Sequence, residues 1–403
     1  MRLIRPDPTR RALLGSAAAI IAPVVAMAAG ATVPAHSASK VTLAALFPDQ
    51  GAQALAGDEA WRGVALAVAA ANRHRTDAIR LIRADAATLA DPARGIARLA
   101  KASPPTALLG TLSSTTSFAA TAAAELADLP YIELDAPADT LTARGFKMLI
   151  RTGLTTTDLA ATTASTIIGQ IAPAWHQPAT TLRIALLFDV GASDGSFAAA
   201  MLGIAHRTNL PILLTLGYAT DSMDLASEVG RMRRAKIDLL IHAGRTEHVL
   251  LLYQALAMAA WRPRMIIGVG PGYGMTVIGD ALGRAIENTL VVDAPLYPPT
   301  GPAAAIAAAY RARYATSPRS GASLTSYVGT TLVIAAISAG EHLTTSLMAI
   351  HQPRGTLANG WGVAFSPDGQ NRDSFATLQQ WRGSRLVTVD PTIAGATKPI
   401  LSL

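Results

Sequence analysis

The sequence predicts an α/β protein made of two lobes, each a doubly wound parallel sheet. The chain has 403 residues, which is too long for one compact core and suits two domains of roughly 150–200 residues. Half of the residues are apolar and only 15% are charged, so general disorder is not expected. Short apolar strands alternate with helical stretches in two successive series, which separate near residues 152–158.

The first series predicts the first lobe. Strands are assigned to short apolar or β-branched runs, and helices to stretches with apolar residues at helical spacing, as at Trp61, Val64 and Val68. Short connections between such elements indicate a parallel sheet with helices on both faces. The predicted strands are 41–47, 79–83, 107–110 and 130–133, and the predicted helices are 59–72, 92–101 and 116–127.

The second series repeats the pattern and predicts the second lobe. Two further helices, at 302–314 and 323–339, must return to one of the lobes, and β-like stretches at 360–365 and 375–389 close the chain. The strands of this series are predicted at 182–188, 212–216, 237–242 and 265–268, and its helices at 196–207, 224–234 and 247–260.

Composition excludes several classes of function. The absence of cysteine rules out disulfides, thiolate metal sites, a cysteine nucleophile and a lipid-modified N-terminal cysteine. The eight histidines are scattered, and the alternating glycines of 268–274 do not fit a dinucleotide fingerprint, so neither a metal nor a cofactor is expected. The net charge is +7, but no dense basic stretch follows the N-terminus and aromatic residues are only 5%. A nucleic-acid partner is therefore not expected.

The N-terminus predicts an export signal. Residues 9–14 read T-R-R-A-L-L, and a weakly apolar, alanine-rich run at 12–31 leads to small residues that suit cleavage. Paired arginines are typical of the twin-arginine route. No later window has about 18 uninterrupted apolar residues. Residues 1–39 are thus predicted as a signal peptide, and the rest as a soluble periplasmic protein.

The order of several short motifs carries a family resemblance. They are G-D at 57–58, L-G-T-L-S-S-T-T at 109–116, L-P-Y-I at 129–132, L-T-A-R-G-F at 141–146, L-I-R-T at 149–152, R-I-A-L-L-F-D at 183–189, A-K-I-D at 235–238, A-G at 243–244 and F-S-P-D-G at 365–369. Together they resemble the leucine/isoleucine/valine-binding proteins, the type I periplasmic binding proteins of ABC importers. The resemblance covers nearly all of the chain after the predicted signal.

The resemblance implies two lobes joined by three crossovers that close around a small molecule and present it to a membrane permease. It implies a first lobe of residues 40–156 and 295–358 and a second lobe of 157–294 and 359–403. Hinge segments are expected at 152–158, 293–298 and near 358–361. Such receptors tend to be monomers, so a monomer is expected here.

Four consecutive hydroxyl residues stand between the strand ending at Gly110 and the next helix: Ser113, Ser114, Thr115 and Thr116. Ligands of open parallel sheets bind at the carboxyl ends of strands, where helix N-termini direct free amides outward. This loop therefore predicts binding of a carboxylate or another oxygen-rich group. The resemblance assigns the carboxylate-binding serine to Ser114. The alternative is that one hydroxyl caps the helix and the others are ordinary loop residues.

Other positions depart from the family pattern. Pro137 follows Asp135 and Ala136 and replaces a threonine that gives the family an amide and a hydroxyl for an amino acid. Gly270 stands where the family holds the ligand ammonium with an acidic residue, and Arg245 stands where an aromatic residue is usual. The carboxylate anchor is therefore retained while the ammonium anchor is missing. Asp135 is a possible replacement for that acid.

Three more residues have two interpretations each. Arg245 pairs either with a second acidic group of the ligand or with a neighbour such as Glu247. Tyr273 either lies across an apolar ligand or packs on its own lobe. Trp61 either lines the mouth of the cleft or belongs to the core.

Ser193 and Asp194 either reach the ligand from the second lobe or cap a helix. The segment 191–195 also reads G-x-S-x-G between a strand and a helix, which is the context of a hydrolase nucleophile. The alternative functions are thus a secreted α/β hydrolase that uses Ser193 and a ligand sensor without a transport role. The hydrolase triad around Ser193 would take Asp280 or Asp293 with His342 or His351.

The predicted function is a non-enzymatic periplasmic receptor of an ABC importer, with a carboxylate- or amide-bearing and possibly amino-acid-like ligand.

Overall fold

The structure is a computed structural model, and it describes residues 41–84, 86–340, 342–393 and 395–401. The predicted export signal at 1–39 lies outside the described residues. Fourteen strands are found in the described part of the chain. They are β1 (Thr42–Ala45), β2 (Arg80–Arg83), β3 (Ala107–Gly110), β4 (Tyr131–Glu133), β5 (Leu149–Arg151), β6 (Ile184–Asp189), β7 (Ile212–Tyr218), β8 (Leu239–Ala243), β9 (Met265–Val269), β10 (Leu290–Asp293), β11 (His351–Gln352), β12 (Val363–Ala364), β13 (Thr377–Arg382) and β14 (Arg385–Thr388).

Thirteen α-helices accompany these strands in the same residues. They are α1 (Ala54–Asn72), α2 (Ala86–Ala90), α3 (Pro92–Ala102), α4 (Ser114–Leu126), α5 (Thr156–Thr166), α6 (Ala172–Ala174), α7 (Ala192–Thr208), α8 (Ala226–Arg234), α9 (Thr246–Met258), α10 (Thr276–Leu282), α11 (Pro302–Tyr314), α12 (Ala322–Ser338) and α13 (Leu343–Met348).

The first sheet has five parallel strands in the order β2-β1-β3-β4-β5. Successive side chains of its strands point to opposite faces. Leu43 therefore packs in one core with α1 and α12, while the next residue, Ala44, packs in another with α3 and α4. Both faces of the sheet are covered, as predicted for a doubly wound lobe.

The second sheet has seven strands in the order β14-β13-β10-β9-β8-β6-β7. The strands β6 to β10 are parallel, and α5 and α7 cover one face while α8 and α9 cover the other. The closing β-like stretch forms an antiparallel hairpin, β13–β14, at the edge beside β10. Its two turn residues, Gly383 and Ser384, have φ of 54° and 59°, which matches the tight hairpin turns that fit twisted strands.

The chain passes between the sheets three times. The first passage leads from β5 to α5, which begins at a capping box between Thr155 and Asp158. The second leads from β10 to α11 and α12, and α12 packs along α1 of the first lobe. Gln370 forms a β-bridge with Arg151 at the edge of the first sheet, and β13 of the second sheet begins at Thr377. The third passage therefore lies at 372–376. It lies beyond the hinge segment that the sequence predicted near 358–361.

The predicted elements agree with the structure within a few residues, with exceptions. The helix predicted to begin at 59 begins at Ala54. Strands β5, β10 and β11 and helices α2, α5, α6, α10 and α13 have no counterpart among the predicted elements. None of the helices in the described ranges combines the length and apolar character that a membrane span requires.

Candidate ligand-binding cleft

A cleft of about 490 Å³ lies between the two lobes, at the carboxyl ends of their strands. Its first-lobe wall comes from the start of α1 and the loop before α4, and its second-lobe wall from the loops after β6, β8 and β9. Most of the wall is apolar. The apolar lining residues include Ala52, Ala56, Leu112, Leu159, Ala192, Phe197, Val269, Pro271, Met275 and Ala322.

The N-terminus of α4 forms the polar part of the first-lobe wall. Ser113 is the N-cap residue, and Ser113, Thr115 and Thr116 all line the cleft. The Ser113 side chain makes no capping hydrogen bond. Among the described residues, no acceptor is found for the amides of Thr115 and Thr116. The helix therefore presents free N–H groups and hydroxyls to the cleft, which is the arrangement that holds an anionic group.

Ser114 is fully buried and does not line the cleft. Its hydroxyl accepts hydrogen bonds from the amide of Ala138 at 3.1 Å and from the hydroxyl of Ser193 at 3.0 Å. Its amide donates to Ser193 Oγ at 3.1 Å. Ser114 thus joins the first lobe to the second rather than facing the space that a ligand would fill.

In the second lobe, Asp189 organises the loops around the cleft. Its carboxylate accepts from the amide of Gly191 at 2.7 Å and from the hydroxyl of Thr220. The ring of His248 lies 3.4 Å away, and burial lowers the pKa of that histidine. Asp189 is 2% exposed, so its hydrogen-bonding capacity is used within the protein.

Arg245 lines the cleft, but its charge is already matched. Its guanidinium lies 3.0 Å from Glu247 and 3.7 Å from Asp189, and it donates to the carbonyl of Thr220. The alternative that paired this arginine with Glu247 is therefore the one that the structure shows. A second acidic group on the ligand would have to compete with two carboxylates.

Asp194 lies in the first turn of α7 and lines the cleft beside Ser193. The N-cap residue of this helix is Gly191, so neither Ser193 nor Asp194 is the cap that the sequence suggested. Burial, and next the negative charge of Asp189, raise the pKa of Asp194 to about 7, while Arg245 opposes the shift.

Pro137 and Gly270 both line the cleft. The backbone of Gly270 has φ of 80° and ψ of −177°, a conformation that only glycine adopts without strain. Pro137 offers neither an amide nor a side-chain donor to a ligand, as its sequence position predicted.

Asp135 and Ala136 lie away from the cleft. The buried carboxylate of Glu133 accepts the amides of Asp135 and Ala136 at 3.2 and 3.0 Å, and this folds the loop inward. The Asp135 side chain accepts from Ser326 at 2.9 Å, and burial raises its pKa well above the usual range. Asp135 therefore does not replace the missing acid in the cleft.

Tyr273 and Trp61 also lie elsewhere. Tyr273 is fully buried in the second lobe, with its hydroxyl 2.6 Å from Nδ1 of His242, so it packs on its own lobe. Trp61 packs against the core of the first lobe under the guanidinium of Arg83. The alternative interpretation of each residue, without a cleft role, is the correct one.

The proposed hydrolase triad is not assembled around Ser193. His342 hydrogen bonds with Thr344, and His351 with the carbonyl of Val363, both on first-lobe elements. No histidine lines the cleft within the residues that the structure describes. Ser193 therefore has no base beside it.

Several residues line the cleft although the sequence did not predict it. They include Gln53, Asp189, Phe197, Thr220, Glu247 and Ser320. Asp189 and Glu247 carried a signal, since Asp189 ends β6 and Glu247 lies in the first turn of the helix that follows β8. Gln53 and Ser320 precede long helices, and only the packed fold brings them to the cleft. In residues 41–84, 86–340, 342–393 and 395–401 no group of acidic or histidine side chains is arranged to hold a metal ion.

A family model described as periplasmic binding protein matches residues 40–379. The chain belongs to the periplasmic binding protein family. A curated relative of this periplasmic binding protein is the Leu/Ile/Val-binding protein homolog 8 of Brucella abortus. The two are 31% identical over 392 residues, which cover 94% of this chain and 97% of the relative. The resemblance to leucine/isoleucine/valine-binding proteins is thereby confirmed.

Solved structures show the same fold for this periplasmic binding protein. The branched-chain amino acid transporter substrate-binding protein of Streptococcus pneumoniae, in complex with isoleucine, is 18% identical with a TM-score of 0.74 over 89% of this chain and 99% of that one. A solute-binding protein of an ABC transporter from R. palustris, in complex with benzoate, is 16% identical with a TM-score of 0.74 over 90% and 99%.

Proposed function

We propose that the protein is the periplasmic receptor of an ABC importer and that it binds a small carboxylate-bearing molecule between its lobes. One observation carries the proposal. The N-terminus of α4, with Ser113, Thr115 and Thr116, opens into a cleft that both lobes enclose.

A carboxylate fits this wall for electrostatic reasons. The free amides and the partial positive charge at the start of a helix favour an anion, and the neighbouring hydroxyls supply further donors. The apolar remainder of the cleft suits an aliphatic or aromatic body. Among the described lining residues, Arg245 is the only Lys or Arg, and it is already paired, so the helix end is the remaining anion site.

The ligands of the two structural neighbours support this class. Isoleucine and benzoate share a carboxylate and an apolar body, and they differ in the amino group. A carboxylate is therefore common to the bound ligands of two proteins of this fold.

The mechanism is closure around the ligand. A molecule that contacts both lobes stabilises the closed form, and the closed form is the one that a membrane permease receives. The chain itself acts as a monomer and changes no covalent bond of its ligand.

A thermal-shift screen tests the proposal with leucine, 4-methylpentanoate, benzoate and the neutral analogue benzamide. A true ligand at one hundred times its Kd adds about 2.7 kcal/mol to the free energy of unfolding. We expect at least one carboxylate to do so, and the S113A/T115A variant to bind it about tenfold more weakly. Ser165→Ala, on the exposed face of α5, is the matched control and should bind as the wild type does. Binding of benzamide without any carboxylate would contradict the proposal.

A further inference from the structure

We infer that the second lobe carries a docking surface for an anionic lipid membrane, in the groove between α8 and α9. The groove has a volume of about 680 Å³, and its lining residues are different from those of the ligand cleft. They are Ala226, Gly230, Arg233, Arg234, Lys236, Ala255, Met258 and Ala259. The inference goes beyond the proposed function and rests on it only for the location of the protein beside a membrane.

The groove concentrates positive charge. Arg233, Arg234 and Lys236 line it and are exposed, and within the described residues no Asp or Glu belongs to the lining. In the part of the chain that the structure describes, none of the three lies within ion-pair distance of a carboxylate. Residues 1–39 hold four Arg and one Asp, which leaves +4 of the chain's net charge of +7 for the residues that follow. Three unpaired cations in one groove are therefore a strong local field in a chain of modest net charge.

Met258 gives the same groove an exposed apolar side chain. The residue is 75% exposed, and Ala255, three residues earlier on the same side of α9, lies beneath it in the groove lining. Cations around an exposed apolar side chain suit the headgroup level of an anionic bilayer, where the cations meet lipid phosphates and the apolar side chain enters the acyl boundary. A soluble anion would match the cations alone, whereas a lipid surface matches both features.

The groove and the ligand cleft lie at opposite edges of the second sheet. Lys236 precedes β8 by three residues, and Arg183, directly before β6, donates a hydrogen bond to the carbonyl of Lys236 at 3.1 Å. Arg264 directly precedes β9 and adds a further cation to this edge. The strands β6, β8 and β9 are parallel, so their amino ends lie at the edge away from the cleft. A bilayer bound at the groove therefore leaves the cleft accessible.

Cations at this place also stabilise the ends of two helices, because the C-terminal end of a helix carries partial negative charge. Arg233 has this role directly, since its guanidinium donates to the carbonyl of Ala259, the C-cap residue of α9, at 2.9 Å. Within the described ranges, the side chains of Arg234 and Lys236 make no hydrogen bond. These two residues are therefore the ones whose removal tests membrane binding.

The first lobe supplies a matched control for this pair. Lys101 and Arg311 are exposed and lie in the last turns of α3 and α11. The K101Q/R311Q variant therefore removes the same charge from helix ends that are far from the groove in the sequence and belong to the other lobe.

The first test is cosedimentation of the exported protein with vesicles. The predicted signal is absent from the sample, because its apolar run would itself bind lipid. The vesicles contain either phosphatidylglycerol and phosphatidylcholine in equal parts or phosphatidylcholine alone. At about 20 mM salt we expect the wild type to bind the anionic vesicles about tenfold more strongly than the neutral ones, and to lose this preference at about 0.5 M salt. R234Q/K236Q should bind the anionic vesicles about tenfold more weakly than the wild type, and K101Q/R311Q within about twofold of it.

The second test places a fluorophore at the apolar side chain. The sequence contains no cysteine, so an environment-sensitive dye labels M258C at a single site. Leu126, which is 90% exposed at the end of α4 in the first lobe, provides the matched variant L126C. We expect anionic vesicles to shift the emission of the M258C label to the blue and to leave the L126C label unchanged.

Several outcomes would overturn the inference. They are equal vesicle binding by R234Q/K236Q and the wild type, equal emission shifts at the two labelled sites, and equal binding to neutral and anionic vesicles. Release of the protein by an excess of glycerol 3-phosphate would assign the groove to a soluble phosphate instead, and tighter binding of polyglutamate than of anionic vesicles would assign it to an acidic protein.

These failures are distinguishable from a failure of the proposed function. The thermal-shift screen contains no lipid, so a negative vesicle result leaves the carboxylate receptor intact, and a negative screen leaves the vesicle result as it stands. Thermal unfolding of R234Q/K236Q and K101Q/R311Q establishes that both variants are folded.

Discussion

The hydroxyl of Ser193 donates a hydrogen bond to the hydroxyl of Ser114 at 3.0 Å, and this bond connects α7 of the second lobe to α4 of the first. The amide of Ser114 donates to Ser193 Oγ in turn, at 3.1 Å. A second contact between the lobes runs from Thr156 Oγ1, at the start of α5, to Asp139 Oδ2, in the loop after β4, at 2.7 Å. The two lobes are therefore in direct contact through these side chains, and under the proposed closure such contacts would stabilise the closed form.

Removing this contact should weaken ligand binding, because the closed form loses bonds that the open form does not have. Ser193→Ala and Ser114→Ala should each reduce affinity by about 1 kcal/mol, or roughly fivefold, which is typical of one hydrogen bond. Both substitutions remove the bond between the two hydroxyls, while Ser193→Ala also removes the acceptor of the Ser114 amide and Ser114→Ala that of the Ala138 amide. The losses in the double variant should therefore be less than additive. Calorimetric titration of the wild type, the two single variants and the double variant gives a double-mutant cycle. Fully additive losses of binding free energy would show that the two serines act separately.

The ionisation of Asp194 should make stability depend on pH. Its pKa is raised to about 7 in the folded protein, so the folded state binds more protons than the unfolded state between about pH 4 and 7. The free energy of unfolding contributed by Asp194 therefore falls as the pH rises through this window and is constant above it. The groups that act on the carboxylate are Asp189, Arg245 and Tyr218.

Asp194→Asn removes this dependence. The variant should be more stable than the wild type at pH 8, by several degrees in Tm, and the difference should shrink towards pH 4. Glu133 and Asp293 also have pKa values raised to about 7, so the comparison of variant with wild type isolates Asp194 from them. A difference that stays constant between pH 4 and 8 would contradict the assigned pKa.

The residues of the strands and their ends could be predicted well, for a physical reason. Buried parallel strands are continuous apolar runs, and their carboxyl ends meet at one edge. Ser113, Pro137, Arg245 and Gly270 follow such strands, and each lines the cleft. The helix α5 was missed because its sequence is rich in threonine, although its capping box between Thr155 and Asp158 was a readable signal.

The direction of a loop side chain could not be predicted, and Asp135 and Asp194 illustrate why. Both acids follow strands closely in the sequence. The loop after β4 folds onto Glu133, which accepts the amides of Leu134 and Asp135 and so turns the Asp135 carboxylate towards Ser326. At the start of α7 the carboxylate of Asp189 accepts the amide of Gly191 instead, and Asp194 lines the cleft. The difference depends on long-range packing that a local pattern does not contain.

Gly270 should resist substitution because of its backbone rather than its surroundings. A Cβ at this position would meet no atom within 4 Å, yet φ of 80° with ψ of −177° is strained for any other residue. Gly270→Ala should therefore cost about 1–3 kcal/mol in the free energy of unfolding. Gly169→Ala is the control, since its Cβ is equally unhindered and its φ is ordinary. Urea unfolding measures both, and equal effects would show that the strain is absent.

Tyr273 stands between two glycines in the turn after β9, and the structure places it in the core of the second lobe. His242 is fully buried between two phenols, with Tyr273 Oη 2.6 Å from Nδ1 and Tyr218 Oη 2.9 Å from Nε2. Burial lowers the pKa of His242 to about 3, so the ring is neutral and each nitrogen needs a partner. Tyr273→Phe leaves Nδ1 unsatisfied and should lower the free energy of unfolding by about 1–3 kcal/mol.

The same substitution should leave ligand affinity unchanged, because Tyr273 does not line the cleft. Tyr253→Phe is a comparable control, since it removes a buried phenol that hydrogen bonds with Thr289 instead of a histidine. Urea unfolding and calorimetric titration of the two variants separate stability from binding. A large loss of ligand affinity in Tyr273→Phe with an unchanged free energy of unfolding would show that Tyr273 acts in binding. A residue that acts only through packing must change the free energy of unfolding.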